Sequence, residues 1–72
     1  MSLAEQEGWL GRLHPESFGW ALSLSAGDAG RAEEVLQNAY LRIVSGRAVY
    51  GQRSSFRTWL FGVIRMVALE EQ

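Results

Sequence analysis

The sequence predicts an all-α fold, a small bundle of three to four helices, and three observations carry the prediction. Apolar residues recur at helical spacing in two long stretches, nothing along the chain alternates cleanly with a period of two, and the stretches are separated by segments rich in Gly, Ser and Arg. With 72 residues and no linker, repeat or low-complexity tract, the chain reads as one domain. A domain near this size buries only about 60% of the surface its unfolded chain exposes, so its stability margin is thin, and a partner or a second copy would relieve it.

Taken in order, Leu3 to Leu13 reads as a short helix with Trp9, Leu10 and Leu13 on its apolar side. Pro15 then resets the chain, and a second helix restarts there, since Pro is tolerated in a first turn where its missing N–H has no partner to lose. From Glu16 to Ser25, Phe18, Ala21, Leu22 and Ser25 share a face flanked by Trp20 and Leu24. His14, the single His, is a boundary residue; no nucleophile or paired carboxylate stands beside it to make it a catalytic base.

Ala26-Gly27-Asp28-Ala29-Gly30 is a turn whose Asp28 is placed to cap the next helix. A Gly-rich loop before a helix also suggests phosphate binding, but no Lys-Ser/Thr follows and no strand precedes it. From Ala29 or Gly30 to Val44, Ala32, Val35, Leu36, Ala39, Tyr40 and Ile43 form a core stripe. On the other side Glu34, Gln37, Asn38 and Leu41 fall at i, i+3, i+4 and i+7, which sets a Leu in an otherwise polar face.

Ser45 to Arg53 is a loop with two Gly and two Arg around Tyr50. It reads either as an ordinary connector with Tyr50 packed on the core, or as a flexible loop able to stack on an unpaired base and hold its phosphates. The last helix lies within Ser54 to Leu69, capped by Ser54 or Ser55. Phe56, Trp59, Leu60, Val63, Ile64 and Val67 fall on its core side; Thr58, Gly62, Arg65 and Leu69 fall opposite, with Phe61 at the margin. Gly62 costs roughly 1 kcal/mol against Ala within a helix, so it is expected to mark a close approach by another helix or by a ligand.

Composition narrows function. Hydrophobic residues at 47% with three Trp, three Phe and two Tyr exclude a disordered chain. The absence of Cys removes disulfides, thiolate zinc sites and cysteine nucleophiles, and suits a reducing, cytoplasmic location. No apolar run approaches the ~20 residues that span a membrane, and no signal-peptide pattern opens the chain. With neither a nucleophile–base pair nor a metal-ligand cluster, no enzyme, metal or cofactor is expected. The net charge of −1 argues against binding nucleic acid through bulk charge. Its distribution is uneven, however: all seven basic residues are Arg, four of them (Arg47, Arg53, Arg57 and Arg65) toward the C-terminal end, while five of eight acids precede Glu34. Arg suits planar, bidentate phosphate or base contacts.

Two segments together, Ala32-Glu33-Glu34-Val35-Leu36-Gln37-Asn38-Ala39-Tyr40-Leu41-Arg42-Ile43 and Ser54-Ser55-Phe56-Arg57-Thr58-Trp59-Leu60-Phe61-Gly62-Val63-Ile64-Arg65, resemble conserved region two of the sigma-70 family. The likeness is closer to its extracytoplasmic-function (ECF) group of bacterial sigma factors. Ala21 to Asp28 resembles the end of that region's first helix, and the likeness covers about Pro15 to Leu69, with residues 1–14 as a helical extension. The resemblance implies that Glu34, Gln37, Asn38 and Leu41 dock on the clamp helices of the RNA polymerase large subunit. It implies equally that the loop from Tyr50 and the helix after it open the minus-ten promoter element and hold a flipped base of the non-template strand. Arg53, Arg57 and Arg65 would contact phosphates, Ser54, Ser55 and Thr58 would offer small hydrogen-bonding groups, and Phe61 would border the DNA, while Trp59 fits packing better than base contact.

The chain departs from the family pattern at Met66, where Asn is usual, and after Leu69, where an acidic residue and then a basic run are usual and the chain reads Glu70-Glu71-Gln72. The second DNA-binding domain of the family, a helix-turn-helix, is absent from the sequence. Two functions are therefore expected as alternatives: a promoter-melting domain, or a sigma-like module that docks on polymerase core or an anti-sigma protein without productive DNA binding. A homodimer is a further candidate assembly.

Overall fold

Every helix begins on a side chain that accepts from the backbone N–H groups of the first turn, which have no partner of their own. In the computed structural model, which describes all residues Met1–Gln72, these caps open α1 (Leu3–Leu24), α2 (Ala29–Val44) and α3 (Phe56–Glu70). Ser2 and Glu5 form a reciprocal capping box at 3.1 and 3.0 Å. Asp28 accepts from the Arg31 N–H at 3.2 Å, and Ser55 from the Thr58 N–H at 3.1 Å. The Asp28 cap stands where the sequence puts it, and of the two candidate serines Ser55 is the cap.

The first helix departs from expectation. A restart at Pro15 was the reading of the sequence, but α1 runs unbroken from Leu3 to Leu24 with Pro15 inside it. Pro removes the N–H that would reach the carbonyl of Gly11 and crowds that carbonyl. Both residues are exposed, so the unpartnered carbonyl lies on the wet side. The helix survives because its inner face, Leu10, Leu13, Ser17 and Ala21, is buried on either side of the Pro. At 1.5 Å per residue its 22 residues reach about 33 Å, which accounts for the 32 Å long axis of the molecule.

After α1, Gly27 N–H bonds the Leu22 carbonyl at 2.9 Å across Ala26 (φ 52°) and Gly27 (φ 81°), a left-handed cap that turns the chain back. α2 ends similarly on Gly46 (φ 81°), and Ala48 N–H returns to the Arg42 carbonyl at 2.9 Å. α2 runs antiparallel to α1, with His14 bonded to Tyr40 at 2.9 Å. α3 runs alongside α1 in the same direction, as Glu16–Arg57 and Trp20–Phe61 meet one turn apart. Fourteen buried residues from all three helices form one core. Ala21 of α1 and Ala32 and Ala39 of α2 are fully buried, and Leu60, Ile64 and Val67 fill the interior from α3. No helix is long and apolar enough to cross a membrane.

Candidate functional site

The polar face of α2 stands as the spacing predicts for three of its four residues. Glu34, Gln37 and Leu41 are exposed and engage no other side chain, and Leu41 keeps 56% of its surface in water. Asn38 is different, because its amide donates to the Glu71 carboxylate. Arg31, Asn38 and Arg42 share a stripe of α2 that clasps the end of α3. Arg31 donates to the Glu71 carbonyl at 3.3 Å and Arg42 pairs with Glu70 at 2.5 Å. The hydrogen bond from Arg42 holds the Glu70 carboxyl below its ordinary range and raises the guanidinium in turn. The acidic pair Glu70 and Glu71 is thus tied to α2.

The exposed arc of α3 carries Arg57, Thr58, Gly62, Arg65, Met66 and Leu69, with Phe61 half-buried at its edge. Arg53, on the connector, and Arg65 are exposed and unpaired. Arg57 is not free: its Nε donates to Glu16 at 2.7 Å and its guanidinium lies 4.5 Å from the centre of the Phe61 ring. Ser55 and Thr58 are also engaged, the Ser55 hydroxyl accepting from the Thr58 N–H and donating to the Thr58 hydroxyl at 3.0 Å. Ser54 lends its carbonyl to the Tyr50 hydroxyl. At Gly62 the structure removes one of the two expected neighbours: nothing beyond its own helix backbone lies within 4 Å of where a Cβ would stand, so no other helix packs close and the position opens onto the exposed arc.

Of the two readings of the connector, the packed one describes Tyr50. Its ring meets Phe56 edge-on at 5.4 Å and Trp59 at 5.3 Å, so Trp59 too is a packing residue, half-buried in an aromatic trio. Phe61 is held by a residue that sequence reasoning passed over: Trp20 stacks on it at 5.7 Å and 7°, and donates its indole N–H to the Phe61 carbonyl at 3.0 Å. Glu16, Arg31 and Arg42 were likewise missed as partners of the candidate residues. No spacing rule pairs side chains across helices, and the one available signal was opposite charge on neighbouring elements.

His14 is an exposed tie between α1 and α2, joined to Tyr40. Burial pushes the Tyr40 hydroxyl up, only partly offset by the nearby Ser17 hydroxyl. From Val35 to Leu69 the chain contains five Arg and no acid, so the connector and α3 present positive charge despite the overall −1.

The helical scaffold thus presents two solvent-facing surfaces, one polar with a single Leu and one arginine-bearing. The family model for sigma-70 region 2 matches residues 9–71, nearly the whole chain, and the protein belongs to that family. The family is a non-enzymatic transcription-factor domain, which in sigma factors binds RNA polymerase core and the minus-ten promoter element. No curated protein and no solved structure matches the chain.

Proposed function

We propose that the chain is the region-two domain of a sigma factor of the ECF group, acting in the bacterial cytoplasm to bind polymerase core and open the minus-ten element. The observation that carries this reading is the pairing, within the matched family segment, of an exposed Leu41 on α2 with an arginine-bearing arc on α3 on which Arg65 is unpaired. Glu34, Gln37 and Leu41 meet the clamp helices of the large subunit, and Asn38 joins them on release from Glu71. Arg53 and Arg65 hold non-template phosphates at once, Arg57 after exchanging Glu16 for a phosphate, and Phe61 borders the DNA. Ser54, Ser55 and Thr58 offer hydrogen-bonding groups at the head of α3. No bond is made or broken; paired bases are traded for bases stacked on protein, each contributing ~1–3 kcal/mol against an unpairing cost of a few kcal/mol.

A second reading, docking on core or on an anti-sigma protein without DNA binding, draws on the internal commitments of Arg57, Ser55 and Thr58. Anisotropy of a labelled non-template minus-ten oligonucleotide across a salt series, with core titrated separately and together, separates the two. Binding of both, strengthened by core and weakened by salt, supports the promoter-melting domain; binding of core alone supports the docking module.

A further inference from the structure

Three ties bind the end of α3 to one stripe of α2, and only one of them uses a residue of the α2 docking face. Arg31 donates to the Glu71 carbonyl at 3.3 Å, Arg42 pairs with Glu70 at 2.5 Å, and Asn38, between the two arginines on that stripe, donates its amide to the Glu71 carboxylate. The arginines already hold the end of the helix, one gripping the backbone at the C-cap residue Glu71 and the other the last helical side chain. The bond to Asn38 adds little to that grip. It falls instead on a docking residue, whereas Glu34, Gln37 and Leu41 engage no other side chain.

Asn38 and Glu71 are both exposed, so their bond exchanges without opening the core. Arg31 and Arg42 keep their own bonds, to the Glu71 carbonyl and to Glu70, when the Glu71 side chain swings away. While it stays, it occupies the Asn38 amide and adds a second carboxylate to a face that carries Glu34 one turn from Asn38. A partner group that accepts from Asn38 has to displace it. We infer that Glu71 is an internal competitor for the α2 docking face, and that a partner seats on Asn38 only after the Glu71 side chain has left. The inference rests on the reading that this face docks on polymerase core. When the open form is only a fraction of the population, the apparent affinity of the partner falls by that fraction.

Core titrated against the whole chain as wild type, Glu71→Ala, Asn38→Ala and the double variant tests it, with urea midpoints measured alongside. Glu71→Ala is expected to bind core about two- to fivefold more tightly, the range an exposed charged contact covers, while its urea midpoint stays or falls. A purely structural tie predicts the opposite sign, since loosening α3 cannot improve docking. Glu71→Gln keeps a carbonyl for the amide and should gain less. Asn38→Ala should bind more weakly, and adding Glu71→Ala to it should bring no gain, because the bond that Glu71 competes for is then gone. Glu71→Ala and Glu71→Gln binding no better than the wild type would overturn the competition and leave the polymerase reading standing. A gain equally large with and without Asn38 would overturn it too, by tracing the effect to charge alone. Core that binds none of the proteins would sink the polymerase reading, and the competition with it.

Discussion

The outward faces of α2 and α3 are built on opposite plans. On α2, Glu34, Gln37 and Leu41 have no duty to the fold. On α3 most candidate groups already serve the structure: Ser55 caps the helix, Thr58 completes the cap, Arg57 ties α3 to α1, and Phe61 is stacked on Trp20. A substitution on α2 therefore reads binding alone, whereas most on α3 read binding and folding together. Arg65 and Gly62 are the exceptions on α3, since neither meets another side chain.

The largest effect comes from removing what both faces stand on. Leu60 is fully buried between the helices, so Leu60→Ala is expected to lower unfolding free energy by about 2–5 kcal/mol out of a total of roughly 5–15. Urea titration should show both binding activities lost in step with the fold. Next is Leu41→Glu, which sets a charge in the centre of the proposed core interface and should weaken polymerase docking by about 2 kcal/mol or more, roughly thirtyfold. The urea midpoint should stay put, because Leu41 is exposed. Docking that survives this change would take α2 out of the interface.

The same contrast explains what could be read from the sequence. The α2 stripe from Ala32 to Ile43 and the α3 stripe from Phe56 to Val67 were legible because burial follows helical periodicity, a local property. The α1 break at Pro15 was misjudged because burial of Leu10, Leu13, Ser17 and Ala21 against other helices outweighs the local preference of Pro. Leu41 was legible as an apolar residue out of place. The engagement of Arg57 by Glu16 and of Asn38 by Glu71 was not, since those pairs are 41 and 33 residues apart. For Gly62 the sequence left a helix or a ligand as the close neighbour, and only the structure removes the helix, because the open space around a glycine is not visible in the sequence.

That open space gives the next test. Gly62→Ala meets no steric obstacle and should stabilise α3 by roughly 1 kcal/mol. If DNA approaches the arc at Gly62, oligonucleotide affinity falls while stability rises, a divergence no change in folding can produce. A weaker effect separates the arginines. Arg65→Ala should lower the salt slope of single-strand binding by about 0.7, whereas Arg57→Ala should lower it by less, because Arg57 spends part of its time on Glu16. Glu16→Gln should accordingly raise DNA affinity. An unchanged affinity in Glu16→Gln would mean that Arg57 belongs to the fold alone.

The smallest expected effect concerns the seam between the two faces. Arg42 on α2 holds the Glu70 carboxyl on α3 below its ordinary value of 4.5. A carboxyl lowered in the folded state stabilises the fold above its unfolded value and loses that contribution as pH falls through the folded value. Thermal unfolding of Glu70→Gln should thus trail the wild type near neutrality and converge with it below about pH 4.5. Glu5 is lowered as well, by its capping box with Ser2, and leaves a residual acid dependence in both proteins. Glu70 is exposed and Arg42 partly so, and added salt should therefore shrink the neutral-pH difference. A difference that persists unchanged into acid would show that ionic pairing with Arg42 is not what holds the end of α3, leaving the bonds of Asn38 and Arg31 to Glu71 as its ties to α2.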